Sequence, residues 1–211
     1  MIVAIESASS DPSLALASSE GAVLAADGWT GEGRQASELL PRLLALLAGA
    51  GRDLREATAL AVGVGPGSFT GLRVSMSLAK GIALALGLPV VGIPSLEAWL
   101  EAEPSAAAAV ARAGAQDAYV LTRGTTEPRI VAAADLRALV GGSLLAAPSE
   151  LALAFELSGT LPPHGAAAAV ARLAAERLAQ DPAGDDLERL EPWYVQAPRG
   201  VAASEVVSRW P

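Results

Sequence analysis

Hydrophobic positions along the first half of the chain follow two different periods. Three short apolar runs, at 2–6, 14–18 and 22–26, are separated by Ser9-Ser10-Asp11-Pro12-Ser13 and by Ser19-Glu20-Gly21. Ser and Asp bond their own backbone, Pro fixes φ and Gly tolerates positive φ, so these breaks read as turns and the runs as three consecutive antiparallel strands. From Ser37 the period lengthens. Leu39, Leu40, Leu43, Leu44, Leu46 and Leu47 fall on one broad face that stops at Gly49-Ala50-Gly51, predicting a helix over 37–48 with Pro41 near its first turn. Residues 60–64 then read as a buried strand leading into Gly65-Pro66-Gly67-Ser68-Phe69-Thr70-Gly71. A helix over 70–86, a strand at 89–93 and a helix through Leu96, Trp99 and Leu100, N-capped by Ser95, complete this half.

The order β-β-β-α-β-α-β-α over 1–102 specifies one mixed sheet carrying helices. The Glu103-Pro104 break divides the chain into a lobe at 1–104 and a smaller one at 105–211. The second half has a weaker pattern: strands at 118–121 and 129–133, a helix at 135–140, an apolar run at 144–147 and an Ala-rich helix at 165–180. A solvated loop at 181–186 and an extended tail from 192 follow, and no repeat of 20 to 50 residues is visible.

Composition narrows the function. Fifteen Lys and Arg against 23 Asp and Glu give a net charge of -8, the wrong sign for a chain that must neutralise phosphates alone. The 211 residues include 47 alanines, which predicts close backbone approach in the core. With no cysteine, disulfides, thiolate metal sites and Cys nucleophiles are excluded. The single histidine, His164, lies between Pro163 and Gly165 and reads as a loop or cap residue, so neither a metal site nor a catalytic residue is assigned. The start lacks a basic region and is interrupted by Glu6, and the charge-free stretches 57–72 and 81–96 are short for a bilayer. A cytoplasmic chain without a membrane anchor is expected.

A strand feeding a G-x-G turn and then a helix aims N–H groups and the positive end of the helix dipole at one spot, which suits an anion. The same glycines also serve a tight strand-to-helix reversal. The segment lacks the lysine of a P-loop and the third glycine of a dinucleotide fingerprint. Between 57 and 96 the only charges are Arg73 and Lys80. The helix there is apolar or small nearly all round, so it needs covering on more than one side, by the second lobe or by a protein partner. Glu6, at a strand end, suits either a ligand crevice or a cap. Asp11, Asp117 and Asp135 have no partner at diagnostic spacing, and Asp185, Asp186, Glu188 and Glu191 read as solvated surface.

The string Gly63-Val64-Gly65-Pro66-Gly67-Ser68-Phe69-Thr70-Gly71-Leu72-Arg73, with Gly92-Ile93-Pro94-Ser95-Leu96-Glu97-Ala98, closely resembles the TsaB (YeaZ) family. Ile5-Glu6-Ser7-Ala8-Ser9, Ser37-Glu38-Leu39-Leu40-Pro41 and Leu190-Glu191-Pro192-Trp193-Tyr194-Val195 resemble further family segments in the same order. Coverage is strong over 1–100 and thin beyond. The resemblance implies an α/β actin-like ATPase fold of the RNase H-like kind, with two lobes of mixed sheets flanked by helices, the second lobe reduced. It implies a non-catalytic scaffold that pairs with the TsaD paralogue, which holds the metal and transfers the threonylcarbamoyl group to N6 of an adenosine in tRNA, and with the ATPase TsaE. Docking through the first two helices makes Leu39, Leu43, Leu47, Arg73, Met76, Lys80 and Ala83 the interface candidates. Met76→Asp or Leu43→Asp is then expected to abolish pairing in a folded monomer. The resemblance makes Glu6, Ser7, Gly65, Gly67, Ser68 and Thr70 a degenerate nucleotide or anion site, with no cofactor of the chain's own and ATP or ADP only at the partner interface. It further implies tRNA contact only through the complex, and a homodimer in isolation.

Three departures count against nucleotide binding by this chain alone. Glu6 replaces the family's Asp, Ala36 stands where many members have His, and the family's D-A-R-x-G-E-V-Y is degraded to the residues 112–119. The alternative reading is an independent ATPase or small-molecule kinase on the same fold. A peptidase is disfavoured, because H-E-x-x-H is absent and no base is paired with Ser68 or another serine.

Overall fold

The computed structural model describes residues 1–31 and 35–193. Its first sheet is built from β1 (Ile2–Glu6), β2 (Ser13–Ala17), β3 (Val23–Gly28), β4 (Ala59–Gly65) and β5 (Val90–Pro94) in the order β3-β2-β1-β4-β5. The first three strands are antiparallel neighbours, whereas β1, β4 and β5 run parallel. The helices α1 (Gln35–Gly49), α2 (Phe69–Leu86) and α3 (Ser95–Ala102) occupy the connections. Boundaries differ from the sequence reading by at most two residues. Pro41 lies inside α1 rather than in its first turn, on the exposed side of the helix.

The second sheet repeats this plan. It contains β6 (Ala108–Arg112), β7 (Asp117–Thr122), β8 (Arg129–Ala132), β9 (Leu145–Ala146) and β10 (Thr160–Leu161) in the order β10-β9-β6-β7-β8, with α4 (Ala133–Val140) and α5 (Ser149–Ala154) between strands. The antiparallel β6-β7-β8 and parallel β6-β9-β10 pairings match those of the first sheet. The central strand β6 is absent from the sequence reading, because Ala-rich 106–111 carries no β-propensity of its own. Hydrogen bonds from β7 and β9 on either side hold it extended.

Side-chain size divides the two faces of the first sheet except at Ile2, Val91 and Ile93, which lie on the smaller-residue face. Val3, Ile5, Leu14, Leu16, Leu60, Val62 and Val64 face a core with Leu39, Leu43 and Leu47 of α1 and Met76, Ala79 and Ala83 of α2. The opposite face presents Ala4, Ala15, Ala17, Ala59 and Ala61 to the alanines of α6 (Ala166–Gln180). Small side chains on both partners let helix and sheet approach closely, so the abundance of alanine is used here.

Helix α6 therefore belongs to the first lobe although it follows the second in sequence. The chain after it also returns: Asp185 N–H donates to Val90 O, and Trp193 N–H donates to Val64 O. This overturns the division at 104, because the second sheet is an insertion between α3 and α6. Asp185 is likewise not free surface. Its Oδ2 accepts from Gly92 N–H at 2.7 Å, while Arg177 donates to Gly92 O and to Asp185 Oδ1. Both outward backbone groups of Gly92 on edge strand β5 are thereby satisfied, and a bare edge is avoided. The tail's Tyr194 and Val195, and its expected extended course, lie outside the described residues.

By length and composition α2 could cross a membrane, but Met76, Ala79 and Ala83 bury one side of it in the lobe's own core. Arg177→Ala is expected to cost about 1–3 kcal/mol in urea denaturation, because it removes the donor to Gly92 O and leaves the Asp185 carboxylate with only its bond from Gly92 N–H at the β5 edge.

Candidate functional site

The carboxyl ends of β1 and β4 meet at the glycine turn, and the turn is filled by the chain itself. Gly67 and Gly71 lie so close to the β1–β2 turn that a Cβ on Gly67 would be 2.1 Å from Ala8 O, and one on Gly71 would be 2.0 Å from Ser7 O. Ser68 N–H donates to Ala8 O at 2.6 Å. Ser68 Oγ N-caps α2 by accepting from Gly71 N–H at 3.2 Å. Gly65 has φ +100, a value few side chains tolerate. The glycines thus serve a tight reversal against neighbouring backbone.

Glu6 sits beneath the turn, 1% exposed. Its Oε1 accepts from Ala8 N–H at 2.6 Å and its Oε2 from Ser95 Oγ at 2.9 Å. Ser95 Oγ in turn accepts from Gly65 N–H at 3.0 Å, so one hydroxyl ties the ends of β1 and β4 to the start of α3. Ser95 is therefore not the N-cap that the sequence suggests. Pro94 holds that position, without a side-chain cap bond. Gly63 makes room for the carboxylate, since a Cβ there would lie 1.9 Å from Glu6 Oε2. Burial pushes the Glu6 carboxyl up to about 7, against hydrogen bonds from Ala8, Ser95 and Ser7 that favour the charged form. The indole of Trp99 also faces this carboxylate, with its Nε1 outside hydrogen-bond geometry.

An anion would meet a buried carboxyl and two carbonyl oxygens here. The six candidate residues Glu6, Ser7, Gly65, Gly67, Ser68 and Thr70 do lie around one turn, but the groups within it do not suit a phosphate. No set of three or more His, Asp or Glu side chains able to hold a metal occurs among the described residues.

The interface candidates divide differently. Leu39, Leu43, Leu47, Met76 and Ala83 are 0–4% exposed and form the lobe's own core, so they cannot meet a partner. Only Arg73 and Lys80 remain at the surface, and Arg73 stacks 4.2 Å from the centroid of Phe69. The outer faces instead carry Leu40 and Leu44 on α1 and Leu84 and Leu86 on α2, between 38% and 75% exposed. The leucine run signals two faces at once, and only packing against the sheet shows which is outside.

Comparison with known proteins adds to this geometry. The family described as TsaD: tRNA N6-adenosine threonylcarbamoyltransferase matches residues 33–155. The chain belongs to this family. The tRNA threonylcarbamoyladenosine biosynthesis protein TsaB of Haemophilus influenzae is 45% identical over 64 residues, covering 30% of this chain and 27% of that protein. TsaB of Escherichia coli is 43% identical over 58 residues, 28% of this chain and 25% of that protein. The match thus spans about a quarter of these curated relatives. The solved structure of YeaZ from Pseudomonas aeruginosa superposes with a TM-score of 0.66 at 24% identity, over 92% of this chain and 98% of that one. That likeness shows the fold, an α/β architecture of two mixed sheets flanked by helices.

Two measurements check the site. Gly67→Ala is expected to cost about 2–3 kcal/mol or more, because backbone must move. The control Gly81→Ala, where a Cβ meets nothing, should gain up to about 1 kcal/mol in urea denaturation. Glu6 binds its proton more tightly folded than unfolded. Its contribution is therefore fully present below pH 4.5 and lost as pH rises to about 7. The free energy of unfolding of the native chain should fall relative to Glu6→Gln by up to about 3 kcal/mol between pH 4.5 and 8.

Proposed function

We propose that this chain is a non-catalytic scaffold or activating subunit in the formation of threonylcarbamoyladenosine in tRNA. It docks through the outer faces of α1 and α2 onto a TsaD-type protein. That partner carries the metal, contacts the tRNA and transfers the threonylcarbamoyl group to N6 of the adenosine beside the anticodon. A TsaE-type ATPase joins the pair, and any ATP or ADP is held at the interface between partners. In isolation the same face pairs with a second copy.

The observation that carries this reading is the exposure of Leu40, Leu44, Leu84 and Leu86 on adjoining helices. Apolar side chains grouped on a surface mark an interaction site more often than isolated ones do. The filled glycine turn supports it by removing the reason to assign phosphate chemistry to this chain. The acidic balance supports it too, because a net charge of -8 leaves tRNA contact to a partner. An independent kinase on this fold would need an open turn, and the carbonyls of Ser7 and Ala8 occupy it.

Co-purification with the TsaD-type protein of the same cell, followed by a transfer assay with and without this chain, tests the reading. A complex and activity only when both are present are expected. Absence of any complex overturns it. Leu44→Asp and Leu84→Asp should weaken the complex at least tenfold at an unchanged urea midpoint. Met76→Asp, which buries an unpaired charge, should instead lose about 3 kcal/mol or more of stability. Normal pairing by both surface variants would show that another face docks.

A further inference from the structure

Asp11 stands apart from the groups used so far. It lies in the β1–β2 turn at 1% exposure, and both of its carboxylate oxygens are engaged. Oδ1 accepts from Thr30 Oγ1 at 3.2 Å, and Oδ2 accepts from the backbone N–H of Ser149 at 3.0 Å. Ser149 is the first residue of α5, three positions after the end of β9. The bond therefore runs from the carboxyl end of β1 in the first sheet to the carboxyl end of β9 in the second. Open α/β sheets leave their ligand crevice outside those strand ends.

The rest of the turn reaches outward in the same way. Ala8 O accepts from Ser68 N–H at the start of α2, and Ser10 O accepts from Gly31 N–H on the approach to α1. Ser13 Oγ accepts from Ala167 N–H at the start of α6. The lobes are also joined covalently and by packing. Trp99 and Leu100 of α3 share a core with Ala109, Ala111 and Leu121 of the second sheet. Arg123 at the end of the second lobe's β7 donates to Leu100 O, Glu103 O and Ala106 O along the connection.

We propose that Asp11 is a latch across the crevice between the two lobes, holding it shut by the Asp11–Ser149 bond with no ligand between them. The apolar cluster centred on α3 reaches Ala8 of the turn and Ala146 of β9, and the Asp11 carboxylate adds the polar tie between the lobes beside it. The Ser149 N–H opens α5 and has no partner within that helix, so the Asp11 carboxylate satisfies it. The latch is independent of the docking reading, since it concerns only contacts within this chain.

Hydrogen exchange on the full chain tests it through two single variants and their combination. Asp11→Ala removes the acceptor. Ser149→Pro removes only the donor, and the backbone accepts it: Pro148 has φ -59 and ψ 144, a conformation suited to the residue before proline, and position 149 opens the helix. Amides over 150–154 should exchange at least tenfold faster in each variant, while those of β4 (Ala59–Gly65) stay within about twofold of the native chain. The double variant should be no faster at 150–154 than either single one. Native protection of 150–154 in both variants overturns the latch, and so does equal acceleration across the whole chain or a multiplied effect in the double variant. If Asp11→Ala does not fold, Ser149→Pro decides by the same criteria.

Discussion

Ser7 and Ala8 place their carbonyl oxygens where Cβ atoms on Gly71 and Gly67 would have to be, and this mutual exclusion sets the geometry around it. It brings the β1–β2 turn against the N-terminus of α2, fixes the course of the chain leaving β4, and buries Glu6 under both. Ser95 completes the junction by bonding Gly65 and Glu6 together. The result is a strand-to-helix turn of the sort that elsewhere cradles phosphates, here filled with protein backbone.

The same economy of size governs the sheet. Large side chains on one face meet α1 and α2, and alanines on the other meet α6. Because α6 and the segment that follows it come from beyond the second sheet, the first lobe is complete only when the whole chain is folded. Asp185 and Arg177 then close the β5 edge through Gly92. Once these surfaces are occupied, the outer faces of α1 and α2 carry exposed leucines that the chain itself leaves open, and the proposed partner would cover them.

Much of this was legible in the residues. The three-strand opening, the leucine-rich helix and the glycine turn all follow from periodicity and turn chemistry. The string from Gly63 to Arg73 carries the family. Three things were not legible. Strand β6 is built from alanines, and only its neighbours make it a strand. Leu39, Leu43 and Met76 could not be assigned to the inside from a helix that is apolar on several faces. The glycines of the turn could not be divided between ligand approach and backbone approach, because that depends on residues 7 and 8, about sixty positions earlier in the chain. Each of these is decided by contacts distant in sequence.

The filled turn is the claim on which the functional reading leans most, and titration of the isolated chain with ATP and Mg²⁺ by calorimetry tests it directly. The account predicts no saturable heat at millimolar nucleotide. Stoichiometric binding with a Kd tighter than about 100 µM, equivalent to more than about 5 kcal/mol, would contradict it.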